Sequence, residues 1–228
     1  MWLFFTLATT LIWGLAELFY KKGARPDEKY SHLKITVCVG VVMGLHAIFV
    51  LITEGLAYDP RNLLLYAPVS LCYILSMALS YFGMRFVEES ISDPIENTSG
   101  ALCALMCAVI LHESIGLPSV IAILIILVGI LGVGFLDTHG DTDRSKKLGK
   151  KMAFVAFAMP FCYAIIDAVG SFLDIYWLDM ETTYLTGVTE DNIELIANTS
   201  YEFTFLIVAI ILFIFMKISK CIYKSCIK

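Results

Sequence analysis

The chain has 228 residues, of which 59% are hydrophobic and 16% charged, where a soluble domain carries roughly 45–50% and about 25%. A water-soluble globule of this size has no core large enough to hide that apolar surface, so the excess faces lipid. A soluble enzyme, a nucleic-acid binder and a disulfide-stapled secreted module are thereby excluded, and the net charge of −5 says little about a partner because basic and acidic residues sort by side of the membrane.

A bilayer core about 30 Å thick takes roughly 20 predominantly apolar residues per helix. Seven stretches qualify, which predicts an all-α integral membrane protein with seven transmembrane helices. The first, 2–20, lacks a basic region ahead of its apolar run, and Glu17, Lys21 and Lys22 stand where a signal peptide needs a small-residue cleavage site, so it is a retained helix. The second, 33–53, carries His46 and the Gly40–Gly44 spacing, which suits close packing between helices or in a homodimer. In the third, 63–86, Tyr66, Tyr73 and Ser80 recur every seven residues and offer hydroxyls that bond between helices. The fourth, 95–111, opens on polar turns, where Pro94 suits the first helical position and Asp93 an N-cap. The fifth, 117–136, has no charge before its end; the sixth, 152–173, holds Asp167; the seventh is 201–218. Period-2 alternation is absent, against a β-barrel.

Orientation follows from Lys and Arg placement. Lys21, Lys22, Arg25, Lys29 and Lys34 follow the first helix, Arg85 the third, Arg144, Lys146, Lys147, Lys150 and Lys151 the fifth, and Lys217, Lys220, Lys224 and Lys228 the seventh. Seven spans put fifteen of the sixteen basic residues on one side, with Arg61 opposite. That side is the cytoplasm, which places the N-terminus outside, the C-terminus inside and the chain as a multi-pass protein of the plasma membrane. Five cysteines, Cys38, Cys72, Cys103, Cys107 and Cys162, sit in helices as small apolar groups. Cys221 and Cys226 lie in the reducing cytosolic tail, where disulfides are not expected and palmitoylation is the minor alternative.

Sliding the chain by 150 residues lays Trp13, Gly14 and Glu17 over Tyr163, Ala164 and Asp167, with Phe4 over Phe154 and Ala8 over Ala158. In both copies an aromatic residue stands four positions before a carboxylate, so ring and acid share a helical face. The repeat unit then has five helices, and an odd number threads the second copy upside down. Charge agrees: five basic residues follow the first helix, whereas 171–200 has none and carries Asp174, Asp179, Glu181, Glu190, Asp191 and Glu194. The predicted organisation is a first five-helix repeat over 1–136, a basic cytoplasmic loop over 137–151, and over 152–228 the first two helices of an inverted second repeat. Either the protein is naturally short or the chain is a piece of one with about ten spans. Opposed repeats typify secondary transporters, with the substrate near the midplane between them.

Trp13–Gly14 with the following Lys21–Lys22, a polar opening at Ser92–Asp93–Pro94–Ile95, the landmark His112–Glu113–Ser114–Ile115–Gly116 and the Ile- and Gly-rich run 117–134 together resemble the EamA-like branch of the drug/metabolite transporter superfamily. His112 stands where that family has Gly. The resemblance implies a ten-helix, two-repeat transporter of small metabolites, often an exporter, with both termini in the cytoplasm; the charge count keeps the N-terminus outside.

An ionisable side chain inside lipid costs about 2.5–3.5 kcal/mol on insertion scales and usually faces a cavity or partner. Asp167, deep in the sixth stretch, would carry a proton or meet a cationic ligand group. Glu17 overlies it in the repeat, although Lys21 four positions on also offers a local ion pair. Glu96 and Asn97 extend the stripe begun by Asp93. Trp13 and Tyr163 could stack on a substrate, Tyr73 offers a hydroxyl, and His46 is an isolated titratable group whose plainer role is packing. Asn198–Thr199–Ser200 forms a glycosylation sequon expected outside, better placed than Asn97–Thr98–Ser99. No metal, cofactor or reaction motif is present. The expectation is a gradient-driven secondary transporter acting on a small-molecule substrate among membrane lipids, with Asp167, Glu17, Glu96, Asn97, Trp13, Tyr163, Tyr73 and His46 on the substrate and proton pathway; the alternative is a non-transporting scaffold or half-transporter that works only with a partner.

Overall fold

The computed structural model describes residues 2–112, 114, 116–137 and 150–226. Outside them fall Glu113 and Ile115 of the expected landmark, most of the basic loop with Arg144, Lys146 and Lys147, and Lys228; the side chains of Lys150, Lys151, Cys221 and Cys226 are likewise undescribed.

Every regular element among the described residues is a helix: α1 (Trp2–Gly23), α2 (Ser31–Thr53), α3 (Arg61–Leu65), α4 (Ala67–Gly83), α5 (Glu89–Glu96), α6 (Ser99–Ile110), α7 (Leu117–Asp137), α8 (Lys150–Leu178) and α9 (Ile193–Cys226). Four are long and apolar enough to cross a membrane, at Leu3–Gly23, Ser31–Thr53, Ala158–Leu178 and Ile193–Ser219, and Ala67–Gly83 and Leu117–Ile126 are shorter apolar helices. The chain is an all-α, multi-pass membrane protein.

Two of the seven expected spans are not continuous. Pro68, in the first turn of α4, has no N–H to give the carbonyl of Leu64, so the third stretch divides at Tyr66 into α3 and α4. Pro94 lies inside α5 rather than at a helix start, and the fourth stretch breaks at Asn97–Thr98 before resuming as α6. Asp93 is therefore not the cap expected of it. Glu88 occupies that position, while the carbonyl of Asp93 accepts the N–H of Asn97 at 2.9 Å. Two other helices are longer than their apolar runs. α8 continues through Asp174 to Leu178, and α9 starts at Ile193, which puts Asn198–Thr199–Ser200 in a helix instead of an external loop. Thr199 and Ser200 are buried, and their hydroxyls donate to the carbonyls of Leu195 and Ile196.

Two antiparallel crossings build the bundle: α4 on α8, and α2 on α9. The second depends on the absence of side chains at Gly40 and Gly44. A Cβ on Gly40 would lie 2.7 Å from the Phe205 carbonyl oxygen and 2.8 Å from the Ala209 Cβ, and one on Gly44 would lie 2.6 Å from Leu206. The small-residue spacing thus serves helix packing within the chain.

The ends are tied by polar contacts. Asn62, fully buried, donates to the Thr186 carbonyl at 2.9 Å and accepts its N–H at 2.8 Å, which docks the acidic loop 179–192 against α3. Asp59 takes the Thr186 hydroxyl at 2.9 Å and the Arg61 N–H at 2.9 Å; these two bonds hold its carboxyl below the ordinary value of 3.8, the Arg61 N–H most of all. At the other end Arg85 donates to the carbonyls of Arg25, Pro26 and Glu28 at 2.9–3.2 Å and stacks on Phe82 and Phe86. Lys21 donates to the carbonyls of Met84 and Val87. α1 stays peripheral, with none of its apolar window buried inside the chain.

Two outcomes follow. Gly40→Ala forces backbone and Cβ contacts that cannot swing aside, so it should destabilise by about 1–3 kcal/mol and lower the melting temperature in detergent. Gly129→Ala on α7, where a Cβ meets nothing within 4 Å, should lose no stability in the same assay. Because folding lowers the Asp59 pKa, its stabilisation is complete above its unfolded value of 3.8 and disappears as pH falls through the folded value. Melting curves of wild type and Asp59→Asn should differ at pH 7, begin to approach one another as pH falls below 3.8, and converge only below the lower, folded value.

Candidate functional site

The α4–α8 crossing carries a row of polar groups along the middle of the bundle. Heptad spacing puts Tyr66 and Tyr73 on the face of α4 that meets α8, and the same spacing puts Asp167 and Asp174 on the facing side of α8. Gly170 lets the two backbones approach: a Cβ there would sit 3.1 Å from the Cys72 Cβ and 3.4 Å from the Tyr73 ring. Both tyrosine hydroxyls donate to Asp174, that of Tyr73 at 3.3 Å, and Tyr73 also reaches Ser171 at 3.3 Å. One turn on, Ser76 donates to Asp167 at 3.3 Å, and Ser99 and Tyr163 hydrogen-bond to the same carboxyl. Ser99 begins α6, so Asp167 sits at a helix N-terminus, where the dipole favours negative charge.

Beside this row lies a cavity of about 530 Å³, within the range of small-ligand sites. α1 supplies a stripe at helical spacing, Thr10, Trp13, Gly14, Glu17 and Tyr20; α4 supplies Met77, Ser80 and Tyr81; the α5–α6 break supplies Asp93, Glu96, Asn97 and Ser99; α8 supplies Tyr163. Ser80 donates to Glu96 Oε2 at 2.8 Å, while Glu96 Oε1 is shielded from solvent without a hydrogen-bond partner. Glu17, Asp93 and Asp167 are all within electrostatic reach of Glu96. The α5–α6 break brings Asp93, Glu96, Asn97 and Ser99 to the cavity wall together. A second cavity of about 360 Å³ between α6 and α8 is walled by apolar residues such as Leu102, Met106 and Ile165.

Of the eight residues singled out from sequence, Trp13, Glu17, Glu96, Asn97 and Tyr163 share the cavity wall, and Asp167 lies in the polar row adjoining it through Tyr163 and Ser99. Tyr73 is in the helix seam, bound to Ser171 and Asp174. His46 is elsewhere, on the α2–α9 crossing, where Nδ1 lies 2.7 and 3.0 Å from the Glu202 carboxylate oxygens and its side chain is 60% exposed. Its isolation in sequence is thus resolved by an acid 156 residues away. Asp174 lies one residue past the sixth apolar stretch, 152–173, and Glu202 lies within the seventh, 201–218, with its partner on a helix distant in sequence. The seven-residue interval from Asp167 was the available signal for Asp174.

The pattern that defines the EamA-like transporter family matches residues 1–135. The chain belongs to the EamA-like transporter family. This match covers α1 to α7, five of whose helices or breaks line the cavity or the polar row, and it makes the chain a member of a family of membrane transporters. No curated protein and no solved structure matches the chain.

Removing the Asp174 carboxylate leaves the buried Tyr66 hydroxyl without its acceptor. Asp174→Ala should therefore destabilise by about 1–3 kcal/mol, and in a double-mutant cycle Tyr66→Phe should recover part of the loss, read as non-additive melting temperatures.

Proposed function

We propose that this EamA-like protein is a gradient-driven secondary transporter that exports a small metabolite across the plasma membrane by alternating access around the cavity between α1, α4, α5, α6 and α8. The observation that carries this is the polar cavity itself, lined by Glu17, Glu96, Asn97, Trp13 and Tyr163 in a family of membrane transporters. An inverted relation between the unit begun by α1 and the one begun by α8 would bring Glu17 and Asp167, both within electrostatic reach of Glu96, to the same region from two helices.

In the proposed cycle Glu96 and Asp167 bind cargo or proton in turn. Asp167 is oriented by Ser76, Ser99 and Tyr163, so a change at its carboxyl reaches α4, α6 and α8 together. The short, interrupted α5–α6 stretch is the element that bends, since Pro94 gives no N–H to the ladder and the helix breaks at Asn97–Thr98. Trp13 and Tyr163 supply ring faces to the cargo, and transfer of charge through Glu96 links its passage to the proton gradient.

A second reading, a half-transporter or scaffold completed by a partner, is favoured by one observation: no part of the α1 apolar window is buried within the chain, although α1 forms one wall of the cavity.

The two are separated by flux. Protein reconstituted in liposomes under an imposed proton gradient, given a panel of radiolabelled metabolites, should move at least one of them, and Asp167→Asn and Glu96→Gln should each slow that movement by about tenfold, equivalent to about 1.4 kcal/mol. Absence of flux for every compound by the protein alone would leave the partner-dependent reading standing.

A further inference from the structure

We infer, resting on the transporter reading above, that the cargo is a small organic cation: an N–H-bearing ammonium or guanidinium joined to a flat apolar body. Charge is the first reason. Glu17, Asp93 and Glu96 contribute three carboxyl groups to the wall, Asp167 lies within electrostatic reach, and none of the residues lining the cavity is Lys, Arg or His. Of the nearest basic groups, Lys21 donates to the carbonyls of Met84 and Val87 and lies within electrostatic reach of Asp93, while Arg85 is bound to the carbonyls of Arg25, Pro26 and Glu28. An anion entering this space would meet more carboxyl groups than cations. A neutral molecule would leave the carboxyl groups to be neutralised by protons, whereas an organic cation brings both the opposite charge and the donors.

The second reason is hydrogen bonding. Ser80 saturates one oxygen of Glu96, and the other is held out of solvent as an acceptor with nothing to accept from. That arrangement suits a donor arriving with the cargo, and a charged N–H donor makes the stronger bond. The acids are also spread along the wall. Among the described residues, no three His, Cys, Asp or Glu side chains gather closely enough to hold one metal ion, so an extended organic cation fits better than a bare one.

Shape is the third reason. Trp13 on α1 and Tyr163 on α8 both line the cavity, as do Tyr20 and Tyr81, whose rings meet at 5.0 Å between centroids. Such faces accept a cation or a flat ring, and about 530 Å³ accommodates a body of one or two rings.

Three nearly isosteric probes test charge alone: benzylguanidinium, neutral benzylurea and phenylmethanesulfonate, each radiolabelled and offered to the full chain in proteoliposomes. Saturable benzylguanidinium flux at least tenfold above the other two, with Glu96→Gln reducing that preference severalfold, supports the inference. Glu17→Gln serves as the second variant if Glu96→Gln melts at a markedly lower temperature than wild type. Preferred flux of the urea or the sulfonate overturns the cation class while leaving transport intact. If none of the three moves and the metabolite panel is also inert, the transport reading falls and the cargo class with it.

Discussion

Helices that cross lipid gain nothing from hiding apolar side chains against one another, because acyl chains solvate them equally well; association rests on close backbone packing and on hydrogen bonds that lipid cannot replace. The α4–α8 seam uses both. Gly170 lets the helices approach, and the gap is crossed by Tyr66 and Tyr73 to Asp174 and by Ser76 to Asp167. An aspartate in this position is tolerated only because donors surround it. The same donors fix which face of α8 meets α4, and that in turn decides where Tyr163 points.

The α2–α9 crossing works on the complementary device. Gly40 and Gly44 remove side chains where the Phe205 carbonyl, Ala209 and Leu206 come nearest, and the His46–Glu202 pair bridges the same two helices. With α8 packed on α4 and α9 on α2, α5 and α6 also pack against α8, whereas α1 makes few contacts with the rest of the chain. The cavity lies between these packed helices and α1.

The break between α5 and α6 links stability to chemistry. A continuous helix would turn Glu96 and Asn97 into ordinary interior positions, with backbone groups satisfied and side chains spread around the axis. The turn at Asn97–Thr98 is held by the Thr98 N–H and hydroxyl, both on the Ile95 carbonyl, the hydroxyl at 2.6 Å. The polar stripe then faces the cavity, and Ser99 opens α6 toward Asp167. Residues that weaken a helix in lipid are here the ones that line the polar space.

Composition and hydropathy by themselves determined that the chain is helical and resident in a membrane, because no soluble core accommodates that much apolar surface. The periodicity of Trp13 and Glu17 and of Tyr163 and Asp167 also marked which helical faces carry polar groups, since that follows from 3.6 residues per turn alone. The landmarks around Ser92–Ile95 and Leu117 sufficed for the family. Only the tertiary structure decided the rest. Partners such as Asp174 with Tyr66, Glu202 with His46 and Asn62 with Thr186 are separated by more than a hundred residues, and no local pattern specifies which helix an acid will meet. The interruption at Tyr66 likewise depends on whether neighbouring groups satisfy the carbonyl that Pro68 leaves open, and the one at Asn97–Thr98 on how α5 and α6 pack against α8, conditions set by packing.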